Sequence, residues 1–151
     1  MLQELLGHRG AAGEAPENTI TGFQYAWDVG VRSFELDVRI SSDQQLVVLH
    51  DESLFRTTGI DRKVWEVSAS ELAEIETLTA FPNWPKKTGV PRLYEVLELF
   101  GGQAFSWELE IKNTAKEKME LISSLLIRMV AEFGLQERVV ITSFVPEALF
   151  M

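Results

Sequence analysis

The chain contains two histidines, and each stands where an apolar segment gives way to polar residues. His8 follows the short apolar stretch 5–7, and His50 follows the apolar run 46–49. Histidine has the side chain whose ordinary pKa lies closest to neutrality, so it can donate or accept a proton at physiological pH. We therefore interpret the two imidazoles as an acid and a base placed around one site.

Charged residues occupy two further predicted strands. Glu35 and Asp37 alternate with apolar residues in one segment, and Glu110 does so in another. Three carboxylates at one rim repel one another strongly unless a cation lies between them, which predicts an oxygen-ligated site for Mg²⁺ or Ca²⁺. Arg9 and Lys112 supply fixed positive charge for an anionic substrate group, so the set indicates phosphate chemistry.

Strands with two kinds of pattern would position these residues. Segments 34–40 and 105–112 alternate between apolar and polar residues, which places their charges on one face. Segment 46–49 is continuously apolar, as is typical of a strand covered on both faces. A last strand is predicted at 139–142.

Helices are predicted between these strands. They cover about 19–29, a short stretch that begins at the capping box 68–71, a helix opened by Pro91 that runs to about 100, and 116–133. Asn18 is the predicted N-cap of the first helix, and Gly30 follows its end. Alternating strands and helices predict the α/β class with a mainly parallel sheet, whose site lies at the carboxyl ends of the strands.

Composition excludes several classes of protein. The 151 residues are 46% hydrophobic and 25% charged, which is typical of one soluble domain. The net charge of −9 opposes binding to nucleic acid, which requires clustered basic residues. The absence of cysteine excludes disulfides and thiolate metal sites. No segment approaches the roughly 20 apolar residues of a membrane span, and the first residues do not have the pattern of a signal peptide. We therefore expect a cytoplasmic location.

Six short motifs resemble those of the glycerophosphodiester phosphodiesterase family, among the phospholipase-C-like phosphodiesterases. They are His8-Arg9-Gly10, Pro16-Glu17-Asn18-Thr19, Glu35-Leu36-Asp37-Val38, His50-Asp51 with Arg56-Thr57-Thr58, Glu110-Ile111-Lys112, and Ser143-Phe144. Each motif alone is weak, but six in this order and spacing are specific.

The resemblance implies a TIM-type (β/α)₈ barrel and a role for each group of site residues. It implies that Glu35, Asp37 and Glu110 bind a divalent cation, that His8 and His50 act as acid and base, and that Arg9, Glu17 and Lys112 line the phosphate site. Which histidine is the base stays open. The segment 56–90 is expected to be an insertion near the pocket, where its aromatic end forms either a lid or a separate hydrophobic cluster.

A barrel of this type needs roughly 250 residues. We therefore expect one domain over 1–151 that holds an incomplete barrel of about five strands, with the small insertion after the third. The chain is then either a fragment of a longer protein or a short form completed by self-association through its open sheet edge.

The expected activity is metal-dependent cleavage of a small glycerophosphodiester to glycerol phosphate and an alcohol. Three alternatives stand beside it. One is a phospholipase D-like enzyme of the same superfamily. Another is a truncated metal- or phosphate-binding module without turnover. The third is a purely structural protein without metal affinity.

Overall fold

The computed structural model describes residues 5–150, and within them five strands form one sheet. The strands are β1 (Leu6–His8), β2 (Ser33–Ile40), β3 (Leu46–Val48), β4 (Ser106–Ile111) and β5 (Val139–Thr142). Strands β1, β2, β4 and β5 lie side by side in this order, and each adjacent pair is parallel. The predicted mainly parallel sheet is thereby confirmed.

Strand β3 differs from the others because it runs antiparallel to β2, with Val48 opposite Val38. A tight connection closes this hairpin, in which the backbone N–H of Gln45 donates to Ser41 Oγ at 3.0 Å. All three β3 residues are buried, as the continuous apolar run predicted. The reversed direction returns the chain alongside β2, so His50 does not stand at the carboxyl end of a parallel strand as expected.

The four predicted helices are present with shifted ends, and one additional short helix, Phe55–Thr58, was not predicted. They are α1 (Ile20–Asp28), α2 (Phe55–Thr58), α3 (Ala69–Glu74), α4 (Leu93–Val96, continued by a π-helical turn over Leu97–Gly101) and α5 (Lys116–Glu132). Single 3₁₀ turns cover Val64–Glu66 and Pro146–Leu149. No helix within residues 5–150 combines the length and apolarity that crossing a membrane requires.

Asn18 is not the N-cap of α1, so that prediction is wrong. The cap is Thr19, whose Oγ1 accepts a hydrogen bond from the backbone N–H of Gly22 at 3.0 Å. Both residue types can cap a helix, but Asn18 lies one residue too early, with φ at 54°. Its side chain instead turns toward β2. Ser68 does cap α3 as predicted, by accepting from Glu71 N at 3.2 Å.

One face of the sheet forms the main hydrophobic core. Six of the alternating apolar residues of β2 and β4 are at most 1% exposed: Phe34, Leu36, Val38, Trp107, Leu109 and Ile111. The rings of Phe34 and Trp107 stack at 5.1 Å. Phe105 was expected to extend this pattern but is 67% exposed, because β4 begins only at Ser106. The opposite face of the same strands is consequently left to polar residues.

The segment that follows β3 has a smaller core of its own. Its buried members are Val47, Leu49, Leu54, Val64, Val67, Ala69, Leu72 and Val90. The aromatic end of this segment packs on α1, where Trp84 Nε1 donates to Thr21 Oγ1 at 3.1 Å and the Trp84 ring meets that of Tyr25. This packing favours the separate cluster over the lid, whereas the assignment of 56–90 as an insertion stays a prediction.

Candidate active site

Three carboxylates meet on the polar face of the sheet. Glu35 and Asp37 project from β2, and Glu110 projects from β4 at the position opposite Asp37. One oxygen from each lies within 4.8 Å of the others. Two oxygens bound to the same Ca²⁺ at about 2.4 Å can lie about 5 Å apart, so this spacing fits a shared divalent cation. The structure thus brings together the three residues that the sequence predicted as ligands.

Asp37 is the most buried member of this cluster, with a side chain 1% exposed. Its Oδ2 accepts a hydrogen bond from Asn18 Nδ2 at 2.8 Å. Lys112 Nζ lies 3.4 Å from Asp37 Oδ1 and donates to Glu110 Oε1 at 2.7 Å. A lysine bridging two carboxylates orients both of them, because its ammonium group offers three donors. Lys112 therefore lies at the cluster, whereas its role at a phosphate site stays a prediction.

Glu35 has a different electrostatic environment from its neighbours. Burial raises its pKa to about 7, and the charge of Asp37 adds to the shift. The backbone N–H of Arg9 donates to Glu35 Oε2 at 3.1 Å and opposes this shift only in part. A divalent cation would favour the ionised form of this carboxyl. Burial is thus the main cause of the raised pKa of Glu35, and the charges of Asp37 and Glu110 add to it.

Arg9 connects the carboxylate cluster to Glu17. Its Nε forms an ion pair with Asp37 Oδ2 at 3.2 Å, and its Nη1 donates to Glu17 Oε1 at 3.2 Å. The backbone of Arg9 has φ at 53°, in the left-handed region that non-glycine residues rarely adopt. This conformation aims the N–H of Arg9 at Glu35 and its guanidinium at Asp37. Strain of this kind is typical of functional sites.

The two histidines are held in unlike ways. His8 is 63% exposed at its side chain, and its Nε2 lies 3.7 Å from Glu35 Oε2. His50 Nδ1 lies 2.6 Å from Asp51 Oδ1. The buried Arg39 donates from Nε to the backbone carbonyl of His50 at 2.8 Å. His50 thus has partners for both its ring and its backbone.

An open cleft of about 580 Å³ collects most of these side chains. It is lined by His8, Arg9, Glu35, His50, Glu108, Glu110, Lys112, Thr142, Ser143 and Phe144. Asp37 and Glu17 do not line the cleft themselves. Asp37 is buried beneath it, and Glu17 contacts the cleft-lining Arg9. Phe144 is 89% exposed at the border. Imidazole, carboxylate and cationic groups are therefore available to one small molecule.

Sequence reasoning missed three residues that organise this site. Asn18 was interpreted as a helix cap, Arg39 as a strand-face charge, and Arg56 was part of a motif without a role. Periodicity identified none of these contacts, because each has at least one partner in a loop, where residues have no regular spacing. The one available signal was that Asn18 and Arg56 lie within the motifs that carry the resemblance.

Residues 8–151 match the sequence profile of the Glycerophosphoryl diester phosphodiesterase family. The chain belongs to this family. A relative named glycerophosphodiester phosphodiesterase, from Caldanaerobacter subterraneus, is 36% identical over 140 residues, which are 93% of this chain and 57% of the relative. A human relative named lysophospholipase D is 33% identical over 129 residues, which are 80% of this chain and 41% of that protein.

Solved structures show the same architecture. A phosphodiesterase from Oleispira antarctica, solved with the product sn-glycerol-3-phosphate, matches with a TM-score of 0.85 and 26% identity. The match covers 96% of this chain and 59% of that one. The chain therefore spans less than two thirds of the length of these family members. Its parallel sheet and helices confirm the predicted incomplete α/β barrel.

Proposed function

We propose that this chain carries the site of a metal-dependent phosphodiester hydrolase that cleaves glycerophosphodiesters to glycerol phosphate and an alcohol. The observation that carries the proposal is the cluster of Glu35, Asp37 and Glu110 in one cleft with two histidines, in a member of this family. The product bound by the Oleispira antarctica phosphodiesterase supports the same substrate class.

Glu35, Asp37 and Glu110 would hold the divalent cation. All the donors are carboxylate oxygens, which suit Mg²⁺ or Ca²⁺, whereas zinc and copper favour nitrogen and sulfur ligands. The spacing of the oxygens and the raised pKa of Glu35 both support a cation at this position. Such an ion, when bound, polarises phosphoryl oxygens and lowers the pKa of a nearby hydroxyl group.

His8 and His50 would carry the proton transfers. One takes the proton from the attacking hydroxyl, either water or the substrate's own glycerol hydroxyl, and the other protonates the leaving alkoxide. Arg9 and Lys112 would stabilise the negative charge that grows on the phosphoryl group. Glu17 would hold the Arg9 guanidinium in place, since it accepts from Nη1.

The remaining parts of the proposal concern the surroundings of the enzyme. A small water-soluble diester is the expected partner, and a cytoplasmic location is proposed with it. Self-association through the sheet edge is also proposed. Within the described residues, β5 pairs on one side only, and Val140 on this strand is 56% exposed.

A lysophospholipid is the second candidate substrate. The human relative named lysophospholipase D favours it. The exposed Phe144 at the border of the cleft would suit an acyl chain, because an aromatic ring offers a large apolar surface.

A head-group and chain-length comparison tests the proposal. The purified chain is incubated with glycerophosphocholine or lysophosphatidylcholine, with Mg²⁺ or Ca²⁺, and glycerol phosphate and choline are measured. We expect cation-dependent release of glycerol phosphate, lost in Glu110→Gln and retained in Glu98→Gln, an exposed glutamate outside the site. Choline release from the lysolipid alone would select the second candidate. Cation binding by calorimetry without hydrolysis would select the binding module, and absence of cation binding would overturn the proposal.

A further inference from the structure

Arg56 joins two loops of the site through its guanidinium group. Its Nε donates to Asp51 Oδ2 at 2.6 Å, and its Nη2 lies 3.3 Å from Asp51 Oδ1. On the other side, Nη1 and Nη2 donate to the two carboxylate oxygens of Glu17 at 2.9 and 2.7 Å. The planar fork of arginine suits such paired contacts, whereas a lysine ammonium acts as a point charge.

Each carboxylate held by Arg56 also contacts a residue that lines the cleft. Asp51 Oδ1 lies 2.6 Å from His50 Nδ1. Glu17 Oε1 accepts from Arg9 Nη1 at 3.2 Å. Arg56 itself does not line the cleft. It can therefore influence chemistry there only through these two neighbours.

Asp51 acts on His50 as an ionised acceptor. Burial raises the pKa of Asp51, but hydrogen bonds from Arg56 and His50 outweigh it and lower the pKa to about 2. An ionised carboxylate can only accept hydrogen bonds, so His50 Nδ1 must carry the proton in this pair. In a neutral imidazole the other nitrogen, Nε2, is then free to accept a proton.

The orientation of the His50 ring needs Asp51 as a restraint in addition to the backbone contact made by Arg39. Arg39 fixes the backbone of His50 by donating to its carbonyl, but the side-chain torsions of His50 remain free to rotate. Asp51 restrains the ring, and the Asp51 carboxylate is itself a partly exposed side chain, 26% accessible. Without Arg56 it would lose the contact that holds its second oxygen.

We propose that Arg56 is a positioning residue that keeps Asp51 in place, so that His50 retains the Nδ1–H tautomer and presents Nε2 for proton transfer. The same guanidinium links the loop of His50 to Arg9 through Glu17. The catalytic consequence rests on the proposed function, whereas the tautomer does not. The two can therefore be tested separately.

The tautomer of His50 can be observed by long-range ¹H–¹⁵N NMR of histidine-labelled protein. The chain has two histidines, so His8→Gln assigns both rings. With the rings neutral, we expect His50 to be almost wholly Nδ1-protonated, to become a mixture of tautomers in Arg56→Ala, and to be intermediate in Arg56→Lys. Arg62→Ala is the matched control, because Arg62 lies on the same segment but pairs with the exposed Glu71. It should leave His50 unchanged.

The activity measurement adds a second readout. In an active wild type, kcat should fall about tenfold in Arg56→Ala, at the lower end of the roughly 10- to 100-fold cost of removing such outer partners. In an Asp51→Asn background, Arg56→Ala should add little to the change in the His50 tautomer, because the contact from Arg56 to His50 through Asp51 is already broken.

Contradictory results are distinguishable. An unchanged His50 tautomer in folded Arg56→Ala overturns the positioning role, whatever the activity. If Arg56→Ala fails to fold, an unchanged tautomer in Arg56→Lys and in Asp51→Asn overturns it. A wild type that hydrolyses no glycerophosphodiester overturns the proposed function, while the tautomer measurement still decides the role of Arg56.

Discussion

Each histidine of the cleft has a carboxyl group beside it, and the two carboxyls are shifted in opposite directions. Glu35, beside His8, has its pKa raised to about 7 by burial and by Asp37. Asp51, beside His50, has its pKa lowered to about 2, because hydrogen bonds from Arg56 and His50 outweigh its burial. A histidine beside a carboxyl group therefore has two different electrostatic environments in this cleft. Burial favours the neutral form of one carboxyl, whereas hydrogen bonds favour the ionised form of the other, which accepts from its histidine.

The two histidines also depend on different parts of the structure. His8 is placed by the backbone, because it lies in β1 at the position paired with Glu35 of β2. His50 lies beyond β3 and is placed by contacts with Asp51 and Arg39. Changes in strand packing should thus affect His8 first, whereas changes in charged side chains should affect His50 first.

Removing either imidazole should have the largest effect. We expect His8→Ala and His50→Ala each to lower turnover of a glycerophosphodiester at least about 100-fold, which is the usual scale for acid–base groups. Turnover is measured at saturating cation, with circular dichroism to check the fold. A variant within about threefold of the wild type would exclude that histidine as acid or base and would leave only one of them in the mechanism.

The raised pKa of Glu35 should make the stability of the cation-free protein depend on pH. The unfolded chain releases this proton near pH 4.5 and the folded chain near 7. The protonated Glu35 carboxyl therefore stabilises the folded chain fully below pH 4.5, and this stabilisation is lost as pH rises to about 7. The free energy of unfolding changes by at most about 3 kcal/mol. Urea unfolding across this range, with chelator present, measures it.

Glu35→Gln is the control for this dependence. The amide does not ionise, so the variant should lack the decline in the free energy of unfolding between pH 4.5 and 7. Saturating Ca²⁺ or Mg²⁺ should likewise reduce the decline in the wild type, because a bound cation favours the ionised carboxylate. A wild type and a variant with parallel pH profiles would show that Glu35 ionises normally and that the contrast with Asp51 is wrong.

A smaller effect should follow from crowding the strand that carries His8. A Cβ added at Gly7 would lie 2.5 Å from the backbone oxygen of Gly10 and 3.1 Å from the Phe34 ring. Gly7→Ala should therefore cost about 1–2 kcal/mol of unfolding free energy, as moderate overpacking does. At Gly13 nothing lies within 4 Å, so Gly13→Ala is the matched control. Equal stabilities in thermal unfolding would contradict the backbone placement of His8.

The sequence predicted the parts of the molecule that repeat regularly. Alternation in β2 and β4 identified both the buried face and the three carboxylates opposite it, because a strand presents alternate residues to opposite faces. The long helix α5 follows from its apolar spacing in the same way. The resemblance added Glu17, which no spacing rule would have selected.

The features that depend on loop and turn conformation could not be predicted from the sequence. The direction of β3 depends on a turn, and a fully apolar strand gives no sign of whether its partner is parallel. Arg56 and Glu17 are far apart in sequence and meet through loop geometry. Asn18 and Thr19 are adjacent residues of similar capping ability, and their backbone conformations, which the sequence does not state, decide between them.

The antiparallel hairpin of β2 and β3 also affects the order in which the site can form. The backbone N–H of Leu49 donates to the carbonyl of Asp37 at 3.0 Å, which places His50 near the carboxylates through contacts between neighbouring segments. Such contacts form readily because little chain entropy is lost. Glu110 joins these residues only when β4 docks on β2, after a much longer loop has closed. A cation that needs all three carboxylates therefore gains its full ligand set late in folding. Such an ion should act mainly by slowing unfolding and should do little to accelerate folding.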